Sequence, residues 1–346
     1  MSAQMPDKQT DHNLAVSALE VSVRAEGIPV AQNVGLSKLT YLRTGGVAKC
    51  LISPQSIEQL GRVIAILYER GLPYKVIGNT SNLLFLDDAE YQVLVSTIDV
   101  NEISCDTGTG TLVAECGAMM PDLSRVALWN SIEGFEGLEG IPGTIGGGVF
   151  MNAGAYGTEL KDRMESAVAI RPDGTIETID ASDLGLTHRA SALRRGEFSG
   201  IVASCTFKSL KGDPAQIFSK MEKFHAKRHK YQDFMYPNLG SIYSGSPYRA
   251  LARHDLKFKI LSALFYLFRY EYKIFHRESP LNRKWLNDWV LKTFEFDYDL
   301  QPFSDKTLNC LVNRGQGTAE MVRFINQLED VVGDSIPLEN EIVKGF

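Results

Sequence analysis

Long apolar runs are missing from these 346 residues. Nothing approaches the roughly 18 consecutive apolar residues that a spanning helix requires, and the longest aromatic-apolar run, Leu261 to Phe268, is under half that length. The opening residues lack a basic start followed by an apolar core, so no secretory leader is expected. Cysteine is sparse: Cys50, Cys105, Cys116, Cys205 and Cys310 make an odd five with no CxxC spacing. That excludes a disulfide framework and a zinc site, leaves no metal expected, and fits a reducing cytoplasm. Basic excess is absent too. Lys and Arg number 36 against 42 Asp and Glu, a net charge of -6, which argues against nucleic acid as the main partner. An anionic small molecule stays open, because backbone amides and a few arginines bind phosphate locally. There is no internal repeat, no low-complexity segment, no Walker GK[ST] and no Rossmann GxGxxG.

What is present is an ordinary globular composition, 44% hydrophobic and 23% charged, long enough for about two domains. The first 35 residues read as an N-terminal extension, polar at its start and expected to fray. Ser56 to Arg70 reads as a helix: Ser56 and Gln59 form a capping-box pattern, Ile57, Leu60, Val63, Ile64 and Leu67 share a face, and Gly71 stops it. Strands are expected over Tyr74–Gly78, Tyr91–Thr97, Thr111–Cys116, Ala167–Ile179 (with a turn at Pro172-Asp173-Gly174) and Gly200–Ser209. Helices are expected over Met120–Asn130, Pro214–His229 and Thr318–Val332, the last closed by Gly333. The alternation implies mixed α and β structure, with a boundary near residue 215 where the composition changes.

Two segments could carry chemistry. In Val76 to Phe85 a strand runs into the polar turn Asn79-Thr80-Ser81-Asn82, a nest able to bind phosphate without net positive charge. From Gly134 to Gly157 glycine recurs at 134, 137, 140, 143, 146, 147, 148, 154 and 157 among Phe, Ile, Val, Met and Tyr. One reading is a set of tight turns inside a core. The other is a backbone that approaches a large ligand where a side chain would collide, and the apolar, ordered character of the segment favours it.

Taken together, the segments resemble the UDP-N-acetylenolpyruvoylglucosamine reductase family, flavoenzymes of peptidoglycan precursor synthesis. The resemblance covers residues 39–210 in order and spacing. It rests on the Arg-x-Gly-Gly turn at Leu42-Arg43-Thr44-Gly45-Gly46, the Gly-x-x-Ser-Asn-Leu-Leu loop at 78–84, and the Gly-Ile-Pro-Gly-Thr-x-Gly-Gly segment running into Met-Asn-Ala-Gly-Ala-Tyr-Gly at 140–157. It implies an α+β fold: an FAD-binding domain of the p-cresol methylhydroxylase type with subdomains at 36–98 and 99–215, and a smaller C-terminal α+β substrate domain at 216–346. It assigns cofactor contacts to Arg43 and Gly45; to Gly78, Asn79, Thr80, Ser81, Asn82 and Leu83; to Gly140, Ile141, Pro142, Gly143, Thr144, Gly146 and Gly147; and to Asn152, Gly154, Ala155 and Tyr156. Backbone amides of the 78–82 and 140–147 loops would cradle the FAD diphosphate.

The same resemblance implies a catalytic set. Arg189 stands in Leu186-Thr187-His188-Arg189-Ala190-Ser191, like the family's Phe-x-Tyr-Arg-x-Ser; Ser241 in Gly240-Ser241-Ile242-Tyr243, like Gly-Ser-hydrophobic-Phe; Glu341 in Leu338-Glu339-Asn340-Glu341-Ile342, like Leu-Glu-x-Glu-Val. In the family, hydride from reduced flavin reaches the methylene carbon of an enolpyruvyl ether. A fixed guanidinium stabilises the resulting enolate, a carboxyl (here Glu341, as the neutral acid) assists, and a serine hydroxyl protonates the other carbon. NADPH is the implied reductant and a nucleotide sugar the implied substrate, held by His188, Arg228 and Gln232, by a monomer or dimer. The basic run His225, Arg228, His229, Lys230 equally suits a helix C-terminus.

The match weakens after Ser241. Ser244-Gly245-Ser246 replaces the family's Lys-Asn-Pro, so a diphosphate-binding asparagine would fall at Gly245, and Thr307 replaces a histidine. The family's usual Ala-Gly-x-Leu-Ile and Gly-Leu-Lys-Gly segments are not recognisable, and residues 246–300 stand in their place. Their aromatic and basic members, Lys257, Lys259, Phe265, Tyr266, Phe268, Arg269, Tyr270, Tyr272 and Lys273, could lie on a membrane surface or a partner; an amphipathic helix packed on the core is favoured. A paralogous flavoenzyme with another acceptor, or a flavin-binding module without turnover, are the alternatives, and retention of Arg189, Ser241 and Glu341 argues against the last.

Overall fold

The computed structural model describes residues 8–267 and 283–346. The N-terminal region departs from expectation. Rather than fraying, Lys8–Ala25 forms helix α1 and Val30–Gly35 forms strand β1. Val16, Leu19 and Val23 recur at spacings of three and four, so one face of α1 is apolar, and all three side chains are buried. They share a core with Leu60, Val63, Ile64 and Leu67 of α2 (Ile57–Arg70). The polar opening residues hid this stripe in the sequence. Helix α2 itself follows its local signals: the Ser56 hydroxyl accepts from the Gln59 amide at 3.2 Å, and Gly71 ends it at φ 61°.

The first sheet has the order β1, β2 (Val47–Ile52), β5 (Glu90–Ser96), β3 (Lys75–Ile77). Its first pair is antiparallel and the other two are parallel. The short strand β4 (Leu83–Phe85) lies beyond the 78–82 turn. The second sheet is antiparallel throughout, in the order β11 (Ile176–Asp180), β10 (Met164–Ile170), β12 (Ile201–Phe207), β7 (Leu112–Glu115), β6 (Ile103–Cys105). Helices α3 (Met120–Trp129) and α4 (Ile145–Met151) cover it through Met120, Leu123, Ala127, Ile145 and Val149. A small hairpin, β8 (Gly154–Ala155) and β9 (Thr158–Glu159), follows α4.

Helix α5 (Pro214–Tyr231) leads to a third sheet of β13 (Asn238–Ser241), β15 (Thr307–Val312) and β14 (Phe303–Ser304). Helices α6 (Pro247–Leu251), α7 (Leu256–Tyr266), α8 (Lys284–Phe294) and α9 (Thr318–Val332) surround it. Phe258 and Phe265 of α7 are buried with Leu286, Val290, Phe324 and Leu328. Residues 256–266 therefore form a helix packed on the core, while Phe268, Arg269, Tyr270, Tyr272 and Lys273 lie outside the described residues. This third core is not closed on itself: Leu42 and Leu84 enter it from the first region. Strand β16 (Glu341–Val343) then returns to pair in parallel with β4, setting Glu341 opposite Leu83. Among the described residues no helix is long and apolar enough to cross a membrane.

Candidate active site

All three sheets border one cavity of about 1620 Å³. Small-molecule pockets usually occupy about 300–1,000 Å³, so this space admits a dinucleotide and a second ligand together. Its first wall is the turn after β3. The Leu83 amide bonds back to the Thr80 carbonyl at 3.0 Å, whereas those of Asn79, Thr80, Ser81 and Asn82 find no acceptor among the described residues. The second wall is the 140–147 loop, which seals against the first: Asn79 Nδ2 donates to the Pro142 carbonyl at 2.8 Å, and a Cβ built at Gly78 would stand 2.2 Å from Thr144 Oγ1. With Thr144 in place, a side chain at 78 would force the two loops apart.

The two loops play different parts. The amides of Ile141, Gly143, Ile145 and Gly146 are already spent on Leu138, Ile141, Ala118 and Cys116 carbonyls at 2.8–3.0 Å. Open amides are therefore concentrated in the 79–82 turn, and the second loop contributes mainly thinness and shape. Two lining residues also hold buried polar atoms with no hydrogen-bond partner among the described residues, Asn340 Oδ1 and Arg228 Nε. A narrow glycine cradle with free amides and unsatisfied buried groups fits a large polar cofactor. Cys116 lines the cavity as well, but burial pushes its thiol up to about 12, which removes it as a nucleophile.

Most residues singled out from sequence line this cavity: Arg43, the 78–83 turn, Gly140 to Thr144, Gly146, Gly147, Gly154, Ala155, Tyr156, Arg228 and Gln232, together with Arg189, Ser241 and Glu341. Gly45, Asn152 and His188 do not. Gly45 (φ 119°) is wedged between Leu36 and Phe85, its amide on Asp87 Oδ1 at 2.8 Å. Asn152 is fully buried in the left-handed position that ends α4, where its side chain ties Glu159, the Thr187 carbonyl and the Lys161 amide together. His188 points to solvent and contacts Glu159 at 3.1 Å. The tight Thr187–Ala190 turn puts adjacent side chains on opposite sides, so Arg189 faces in and His188 faces out.

Arg189 has φ 54°; its Nε donates to Glu339 Oε1 at 3.2 Å and its Nη2 to the Gly154 carbonyl at 3.0 Å. Glu341 is half of an ion pair with Lys75 Nζ at 2.5 Å rather than an isolated acid, and its amide donates to the Asn82 carbonyl at 3.0 Å. Ser241 ends β13 opposite Cys310. Arg228 is buried, with Nη2 on the Gly137 carbonyl at 3.1 Å and its guanidinium over the Tyr156 ring at 5.3 Å. Burial lowers it from the usual arginine value.

Among the lining residues to which the sequence assigns no role are the polar side chains Lys75, Arg194, Glu339 and Asn340. Asn340 links the flanking segments, donating to Asn82 Oδ1 at 2.8 Å and to the Ser241 carbonyl at 3.3 Å. Lys75, a lone cation in an apolar strand before the turn, was the one local signal. Gly245, where a family asparagine would fall, packs on Ile336: a Cβ there would meet Ile336 Cγ2 at 2.6 Å.

Residues 48–180 match the FAD binding domain family. The UDP-N-acetylenolpyruvoylglucosamine reductase of Lactobacillus delbrueckii subsp. bulgaricus is 36% identical over 221 residues, 64% of this chain and 73% of that protein. The chain belongs to this reductase family. The Enterococcus faecalis reductase is 37% identical over 208 residues, 60% of this chain and 68% of its own length. A solved reductase from Thermus caldophilus superimposes with a TM-score of 0.65 at 24% identity, covering 91% of this chain and 99% of that one, so the likeness of fold extends well beyond the stretch of close sequence similarity. The α+β FAD-binding fold implied by the glycine motifs is thus the fold observed.

Proposed function

We propose that this reductase-family protein is an FAD-dependent, NADPH-oxidising enzyme. It reduces the enolpyruvyl group of UDP-N-acetylglucosamine enolpyruvate to give UDP-N-acetylmuramate for peptidoglycan precursors, in the cytoplasm. The observation that carries this reading is convergence: Arg189, Ser241 and Glu341, from three distant parts of the chain, line the same cavity as the cofactor loops. FAD supplies, when bound, two-electron hydride chemistry.

The residues divide the remaining work. Open amides of the 79–82 turn suit a diphosphate, and Asn79 holds the two loops at fixed spacing. Arg189 is anchored by Glu339 and the Gly154 carbonyl, so its guanidinium is preorganised to stabilise an enolate; one such group is typically worth ~3 kcal/mol of barrier. Ser241 donates the proton to the carbon beside the substrate carboxylate, and the Lys75–Glu341 pair sets the charge at that end. Arg228 and Gln232 are suited to the substrate diphosphate.

A second reading is favoured by one observation. Glycine replaces the family asparagine at 245, where a side chain would press on Ile336, and helices α6 to α8 stand in the segment where the sequence resemblance lapses, which supports a different nucleotide sugar or unsaturated acid as acceptor. NADPH oxidation with each candidate acceptor, coupled to mass spectrometry of the product, separates the two. Consumption dependent on the enolpyruvyl sugar, with product heavier by two hydrogens, supports the first; turnover only with another acceptor selects the second.

A further inference from the structure

We infer that Arg194 is a positioning residue that aims Arg189 from behind, by closing a ring of contacts across the cavity wall. The inference rests on the reductase reading above for its kinetic arm. Arg194 Nη1 donates to the Arg189 carbonyl at 2.7 Å, and its Nη2 to the Leu338 carbonyl at 3.1 Å. The next residue, Glu339, receives Arg189 Nε at 3.2 Å. The circuit therefore runs from the Arg189 guanidinium to the Glu339 carboxylate, along the chain to Leu338, across to the Arg194 guanidinium, and back to the Arg189 backbone. It joins segments 144 to 150 residues apart.

Three features make the ring a device for aim rather than general packing. Arg189 holds φ 54°, a conformation that a non-glycine residue keeps only under local support, and Arg194 bonds to the carbonyl of that very residue. Arg194 is itself fixed, because its amide donates to Ser191 Oγ at 3.1 Å and that hydroxyl donates to the Phe150 carbonyl at 2.7 Å. Both terminal nitrogens of Arg194 are engaged by carbonyls, which commits two of its five N–H donors to the cavity wall. A planar guanidinium spans two acceptors in fixed geometry; a lysine ammonium reaches one acceptor at a time with less geometric control. Leu338 and Glu339 lead directly into β16, so the ring ties Arg189 to the segment that carries Glu341.

The test uses the FAD-loaded enzyme. In Arg194→Met the rate at which UDP-N-acetylglucosamine enolpyruvate reoxidises the reduced flavin at saturation should fall ~10-fold or more, as expected for loss of about 1.4 kcal/mol of aim. Reduction by NADPH should fall much less, and Arg194→Lys should be intermediate. In an Arg189→Lys background the same Arg194 substitution should add less than about a twofold loss, because it acts through a group already displaced. Multiplicative losses in the double variant overturn the inference, as does a weaker substrate KM with an unchanged saturated rate, which makes Arg194 a substrate contact. A second arm needs no substrate. A double-mutant cycle of Arg194→Met with Glu339→Gln, read by urea unfolding, should depart from additivity by about threefold or more in the unfolding constant. Additivity there refutes the ring even if Arg194→Met is too unstable to assay kinetically, with Arg194→Lys in its place. If wild-type reduced enzyme is not reoxidised by this substrate, the functional reading fails while the unfolding cycle still decides the ring.

Discussion

Gly78→Ala is the smallest change that tests how the two cofactor loops meet. The added methyl would stand 2.2 Å from Thr144 Oγ1, about 1.2 Å inside ordinary contact at 3.4 Å, with Thr144 Cγ2 at 3.1 Å and its Cβ at 3.2 Å. Thr144 cannot swing away freely, being 2% exposed and capping α4 through Oγ1 to the Gly147 amide at 3.4 Å. The loops must separate instead, and overpacking of this kind costs about 1–3 kcal/mol. If that cost falls on the assembled cradle, FAD affinity drops ~5- to 150-fold. Titration of FAD into apoprotein, followed by flavin fluorescence, reads the change. Thr144→Ala in the same chain removes the two closest atoms and gives up only a long cap bond, worth roughly 0.5 kcal/mol. The double variant should recover most of the lost affinity. Retention of wild-type affinity by Gly78→Ala, or a loss that Thr144→Ala does not relieve, refutes the account of the cradle.

Ser241→Ala should leave reduction of the flavin by NADPH intact and slow its reoxidation by substrate about 100-fold or more, as stopped-flow absorbance would show; normal turnover removes Ser241 from the chemistry. His188→Ala should keep the substrate KM within about twofold, because that ring faces solvent and not the cavity; a large rise in KM would return it to the binding site. Burial raises the thiols of Cys50 to about 11 and of Cys116 and Cys310 to about 12, against 9.0 unperturbed. Unfolded chains lose these protons first as pH rises, so the stabilisation is complete below about pH 8.5 and is lost progressively up to about pH 11 to 12. Urea midpoints should be flat near pH 7 to 8 from this source and fall above pH 9; a rise there contradicts the burial.

The parts of this fold legible in the sequence are those governed by neighbours along the chain. Ser56 and Gly71 bound α2 because capping is settled within a few residues, and Pro172-Asp173-Gly174 turns β10 into β11 for the same reason. Helix α1 is not legible locally, because its buried stripe of Val16, Leu19 and Val23 matters only once α2 is there to receive it. The cavity shows the same division. Motif positions located its walls, but Asn152 and His188 sit beside true lining residues and face elsewhere, since a tight turn reverses direction within one residue. Lys75 against Glu341, and Arg189 against Glu339, join residues 266 and 150 positions apart. Such pairs arise from β16 returning to β4, a non-local pairing that no local pattern announces.

The most direct test of the central claim is an anaerobic titration of enzyme first bleached by one equivalent of NADPH. Stepwise addition of UDP-N-acetylglucosamine enolpyruvate should restore the oxidised flavin spectrum with an endpoint near one equivalent and yield an equal amount of UDP-N-acetylmuramate. A flavin that stays bleached through that titration, and recovers only when oxygen is admitted, contradicts the account.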